Sequence, residues 1–219
     1  MTATVQTPQL RPVPRLMELV RQFGDLPISR LRLDRFPATE ADVVELHDRE
    51  DRLYELVDGV LVEKTKGYRE GYIAAYIARM LGNFVEPRNL GIVNGADGMM
   101  KLAPELVRIP DVSFVSWKQL PSGEFPKGPV PLLAPELAIE VLSESNTREE
   151  MEKKRREYFA AGGTLVWEVD PETQTVHVYR AAEYESPTVL GVGDILAGDP
   201  VLPGFSLPVA DIFNLPRRT

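Results

Sequence analysis

The chain has 219 residues, of which 43% are hydrophobic and 26% charged: a globular composition, long enough for one sizeable core plus an extension. With no cysteine and only His47 and His177, it can form no disulfide or thiolate centre, so a bound metal would need mainly oxygen donors, as Mg²⁺ or Mn²⁺ does. A net charge of −8 argues against a protein that coats nucleic acid by neutralising phosphates, and the absence of a long apolar run makes a cytoplasmic, non-membrane protein the expectation.

Residues 1–36 carry six arginines (Arg11, Arg15, Arg21, Arg30, Arg32, Arg35) against Glu18, Asp25 and Asp34, with Pro8, Pro12, Pro14 and Pro27 interspersed. Apolar periodicity is confined to Leu16–Phe23. A flexible basic arm with one short helix and no catalytic residue is expected, followed by a folded domain over 37–219. Thr39 can cap a short helix running to about Leu46, its acidic first turn complementing the helix dipole. Tyr54 to Glu63 is two β-rich runs around Asp58-Gly59, a strong hairpin signal. From Gly67 to Pro87, Ile73, Tyr76, Ile77, Met80, Leu81 and Phe84 recur at helical spacing and define one apolar face.

Short β-type segments follow near Gly91–Asn94, Met99–Leu102, Leu106–Ile109 and Asp111–Ser116. Pro121 to Pro135 reads as a Pro- and Gly-rich flap. Leu137-Ala138-Ile139-Glu140-Val141-Leu142 is a nearly unbroken apolar run, the mark of a central strand covered on both faces. A second long helix is expected from Arg148 to Ala161, ending at Gly162-Gly163. A strand pair, Thr164–Val169 and Thr175–Tyr179, and a packed closing turn through Val209–Phe213 complete the chain.

Glu140 is the most informative residue, because a carboxylate inside an apolar strand costs several kcal/mol unless it is paired, protonated or metal-bound. A structural ion pair with a helix arginine is the competing reading. Asp111 follows Pro110 at the head of another strand, where proline is tolerated. If the two strands are neighbours, both carboxylates reach one divalent cation, and two such ligands plus water suit Mg²⁺. In the following helix, Met151, Tyr158 and Gly162 set the inward face; Lys154 and Arg155 flank it, while Lys153 and Arg156 point outward. Lys154 is thus a catalytic candidate, or a snorkelling lysine that covers apolar surface.

Tyr54-Glu55-Leu56-Val57-Asp58-Gly59, Pro110 to Val115, Glu140-Val141-Leu142-Ser143, Lys154 to Tyr158, Ala161-Gly162 and Trp167 to Pro171 together resemble the Uma family of putative restriction endonucleases, in order and approximate spacing over most of 39–213. The resemblance implies the PD-(D/E)XK fold, an α/β (α+β) arrangement in which a restriction-endonuclease-like mixed β-sheet flanked by helices presents an aspartate and a glutamate to one or two Mg²⁺ ions. Two departures from the family pattern stand out. The lysine usual two residues after the glutamate is Leu142 here, with Lys154 of the next helix matching the alternative lysine, and Glu70 stands where many relatives carry a histidine.

The expected function is Mg²⁺-dependent hydrolysis of DNA, with Mn²⁺ as a substitute ion. Asp111, Glu140 and the Val141 carbonyl would hold the ion, Lys154 would assist, and Glu55 or Glu70 would hold a second ion or a water; the ion would activate a water and polarise the scissile phosphate. Cutting both strands from a single site per chain would call for a homodimer. The alternative is a nuclease scaffold without chemistry that acts in nucleic-acid binding or assembly.

Overall fold

The computed structural model describes residues 23, 24, 26–65, 67–120 and 122–216. Of the helix expected over Leu16–Phe23, all but Phe23 lies outside the described residues. From residue 26 the supposed arm is packed, which corrects the expectation of looseness as far as 36. Leu31–Arg32 (β1) joins a sheet, and Phe23, Leu26 and Leu31 bury against Val57, Val60 and Val62. Arg30, 7% exposed, donates to Glu150 at 2.9 Å. The prolines and charges of this stretch hid its apolar residues, which are too irregularly spaced to show a period.

Glu40–Glu50 forms α1, one turn longer than expected; at its head the Thr39 N–H donates to the Asp42 carboxylate at 2.8 Å. Tyr54–Val57 (β2) and Val60–Glu63 (β3) form the expected hairpin. Its turn residues have φ of 51° at Asp58 and 79° at Gly59, the left-handed backbone that a two-residue hairpin turn requires. Tyr68–Val85 is α2, whose Ile73, Ala74, Ile77, Leu81 and Val85 are buried at helical spacing. Then come Gly91–Asn94 (β4), Met100–Ala103 (β5), Leu106–Arg108 (β6), Val112–Ser116 (β7) and Leu137–Val141 (β8). Arg148–Ala160 (α3) leads into Leu165–Asp170 (β9) and Thr175–Arg180 (β10). Three short strands, Thr188–Leu190 (β11), Ile195–Ala197 (β12) and Ser206–Pro208 (β13), and the terminal helix Val209–Phe213 (α4) close the chain.

The strands make two main sheets. One, in the order β1-β3-β2-β6-β5, is antiparallel throughout; the other, β11-β10-β9-β8-β7-β4, is mixed, with β8 and β9 parallel. Period-two alternation divides the mixed sheet cleanly. Val112, Phe114, Leu137, Ile139, Val141, Leu165, Trp167 and Val169 face α2 and the closing segment in the largest core cluster. Val115, Ala138 and Val166 face the other way, with Tyr158 of α3 and Tyr179. The chain passes from the first sheet to the second through Ile109-Pro110-Asp111, and the Asp111 N–H already donates to the Ile139 carbonyl at 3.0 Å. That crossing point brings the carboxylates of two sheets together under α3.

Candidate active site

The register of β7 on β8 pairs Val112 with Ile139 and Ser113 with Ala138, so one further step sets Asp111 opposite Glu140. Both side chains lie on the α3 side of the sheet, 1% and 4% exposed. The Asp111 carboxylate is oriented by the backbone: its Oδ2 accepts the Val141 N–H at 2.7 Å. Asp111 and Glu140 thus stand on neighbouring strand positions of one sheet face, and the Val141 peptide meets Asp111 through its N–H.

Glu55 arrives from the other sheet. Continuing the β2–β6 register from Leu56↔Val107 sets Glu55 opposite Arg108, and the Arg108 guanidinium donates to Glu55 Oε2 and Glu157 Oε2, each at 2.6 Å. Glu55 Oε1 also accepts the Ile109 N–H at 3.2 Å. α3 drops its cation between the two sheets: Lys154 Nζ lies 3.1 Å from Glu55 Oε1 and 3.3 Å from Glu140 Oε1. One helical turn on, Tyr158 Oη donates to Glu140 Oε1 at 2.7 Å. Lys154 is a buried bridge, not a snorkelling lysine, and the ion pair of Glu140 is with this lysine rather than with a helix arginine.

Burial alone would raise Glu55, but Lys154, Arg108 and Lys64 outweigh it and hold the carboxyl well below its usual range. Burial opposes charge on Lys154 too, yet Glu140 and Glu55 raise it above an ordinary lysine, so it stays an ammonium at neutral pH. Burial, reinforced by Glu140, pushes the Tyr158 hydroxyl well above 10.0, which keeps it a donor.

Besides Arg108 and Glu157, two further members of this group are not signalled by the sequence as functional candidates. Lys64, just past β3, places Nζ 2.9 Å from Asp111 Oδ1 and 3.3 Å from the Ala96 carbonyl, and donates to the Ile109 carbonyl. Burial pushes its ammonium down to about 8, although Glu140 and Glu55 pull the other way. No period marks a lysine at a strand end, so nothing in the sequence signals it. The other is Glu168, which the parallel β8–β9 register sets beside Glu140, with His177 of β10 beside it in turn. Asp111, Glu140, Glu168 and His177 thus form one row across four strands. Glu168 is raised by burial, which outweighs the bonded Arg155, and that guanidinium lies 4.1 Å from the Tyr179 ring centre.

Glu70 stands apart. It is half-buried in the first turn of α2, folded back over Gly67, and lines a cleft of about 900 Å³ whose walls include Leu142, Ser143, Glu168 and His177. The structure thus brings Glu55, rather than Glu70, to the lysine-bridged carboxylates, and Leu142, two residues after Glu140, sits on the cleft wall. Among the described residues there is no ready-made group of three or more His, Asp or Glu side chains disposed to hold a metal. The donor chemistry nonetheless suits Mg²⁺, which binds through one or two carboxylates and completes its shell with water.

The profile of Uma2, putative restriction endonuclease, matches residues 40–210. The crystal structure of a putative nuclease belonging to DUF820 from Anabaena variabilis is similar with a TM-score of 0.65 at 20% sequence identity, the match covering 74% of this chain and 90% of that one. That likeness establishes the fold, a mixed α+β arrangement with helices flanking mostly antiparallel sheets. No curated protein matches the chain.

Proposed function

We propose that this chain, which belongs to the Uma2 family of putative restriction endonucleases, hydrolyses phosphodiester bonds of DNA in a Mg²⁺-dependent reaction at Asp111 and Glu140. The observation that carries the reading is the cross-strand placement of these two buried carboxylates with the Lys154 ammonium 3.3 Å from Glu140. A PD-(D/E)XK site needs those three groups, and here the lysine comes from α3 because Leu142 holds its usual place.

Asp111 and Glu140 would hold the ion, with the Val141 carbonyl as a third ligand. Bound there, Mg²⁺ or Mn²⁺ supplies charge for the phosphodiester and lowers the pKa of a water. The rest is the work of this chain. The Val141 N–H fixes the Asp111 carboxylate, and the Tyr158 hydroxyl fixes Glu140. Lys154, kept protonated by its two carboxylates, offsets negative charge developing on the phosphorus oxygens or orients the attacking water. Glu55, anchored by Arg108, sets the position of that ammonium. Glu70, on the neighbouring cleft, is the weaker candidate for a second ion. Cutting both strands would require two chains, so a homodimer accompanies the proposal.

A second reading, a scaffold that binds or assembles on nucleic acid without chemistry, is favoured by one observation: Leu142 replaces the usual lysine. A cleavage screen with Mg²⁺ and Mn²⁺ on mixed DNA substrates separates the two. Metal-dependent cuts are expected from the wild type and none from folded Asp111→Ala or Glu140→Ala; unchanged cleavage by either variant overturns the active-site assignment, and no cleavage by any protein favours the scaffold.

A further inference from the structure

Lys64 is not needed by the reaction just described, yet among the described residues it is one of the least exposed cations, its side chain 5% exposed. An ammonium has three protons to donate. Here it donates to the Ala96 carbonyl at 3.3 Å and to the Ile109 carbonyl, and its charge lies 2.9 Å from Asp111 Oδ1, so three oxygens from three segments surround it. One carboxylate and two carbonyls converging on a point make a hard-cation position, and the chain's own amine stands in it.

The local charges explain why. Glu55, Asp111 and Glu140 are buried carboxylates faced by the side chains of Lys64, Lys154 and Arg108, with the less buried Glu157 as a second partner of Arg108, so each central carboxylate already has a cation without any ion. A divalent ion at Asp111 adds two charges where burial makes excess charge expensive, and its nearest obstacle is an ammonium on the same oxygen.

We propose that Lys64 is a built-in counter-ion at Asp111 which a divalent cation must displace, so that the free protein binds such ions weakly and the anionic substrate, by adding negative charge, favours the exchange. This rests on the metal reading above and goes beyond it by naming the residue that opposes loading. Lys64 is accordingly a positioning residue, acting through Asp111.

Isothermal titration of the full chain with Mn²⁺ alone tests it. Lys64→Met should bind at least about ten-fold tighter than wild type, equivalent to about 1.4 kcal/mol. Lys64→Arg, which keeps the charge, should remain as weak as wild type, and adding Asp111→Asn to Lys64→Met should abolish the tight site. Equal or weaker binding by Lys64→Met, with binding still dependent on Asp111, overturns this inference and leaves the metal reading intact. Absence of Asp111-dependent binding in every protein overturns the metal reading itself. The wild type supplies a check that needs no variant to fold: Mn²⁺ loading should increase amine labelling of Lys64, and protection that persists at saturating Mn²⁺ counts against displacement.

Discussion

Lys154 and Glu140 lend themselves to a double-mutant cycle, because each is 4–5% exposed at the side chain and their charged atoms lie 3.3 Å apart. At an effective dielectric constant of 20, that separation corresponds to a direct attraction of about 5 kcal/mol, part of which desolvation cancels. Lys154→Met leaves Glu140 without its ion-pair partner, while Glu55 keeps Arg108 at 2.6 Å; a loss of about 3–5 kcal/mol is expected. Glu140→Gln is milder, about 1–3 kcal/mol, because Lys154 keeps Glu55 at 3.1 Å and the amide oxygen can still accept from Tyr158. In the double variant the stranded charge on Glu140 is gone, so its destabilisation should fall short of the summed single losses by about 2–3 kcal/mol. Urea unfolding followed through the fully buried Trp167 measures all four proteins. Additivity within about 0.5 kcal/mol would show that the two groups do not act as a pair.

Two further outcomes follow from the same geometry. Glu55 is held below its unfolded value of 4.5, so the stability it contributes is fully present above that pH and is lost as pH falls through the lowered folded value. The melting-temperature gap between wild type and Glu55→Gln should therefore be widest above pH 4.5 and shrink in more acid solution; a gap constant with pH contradicts this. At Gly91, an added Cβ would meet the Val115 carbonyl oxygen at 2.1 Å and Ser116 Cα at 2.7 Å, both backbone atoms of the paired strand. Gly91→Ala should cost about 1–3 kcal/mol, and an unchanged urea midpoint would disprove it.

The features legible in the sequence are those with a local period or a local chemical conflict. The Asp58-Gly59 hairpin, the apolar stripe of α2 and the inward face of α3 all follow from spacing, and Glu140 announced itself by standing in an apolar strand. Strand pairing between distant segments was not legible. Glu55 and Arg108 are opposite each other only because β2 pairs with β6, and Glu168 lies beside Glu140 only because β8 and β9 run parallel. Lys64 was missed for the same reason: its partners come from Ala96, Ile109 and Asp111. Strands of two or three residues, such as β1 and β11 to β13, are too short for alternation to register. Helical phase alone does not single out Glu70, since Arg69 lies near the same stripe of α2, and in the structure Glu70 lines the cleft.

Fe²⁺-directed backbone cleavage asks most directly whether Asp111 and Glu140 hold one ion. Fe²⁺ substituted for Mg²⁺ generates radicals at the ion's position in the presence of ascorbate and peroxide, and the fragments are read by mass spectrometry. Cuts next to both Asp111 and Glu140, lost together in Asp111→Asn, are the expected result. Cuts confined to the cleft wall at Glu70, or a pattern indifferent to Asp111→Asn, would contradict a shared ion at Asp111 and Glu140.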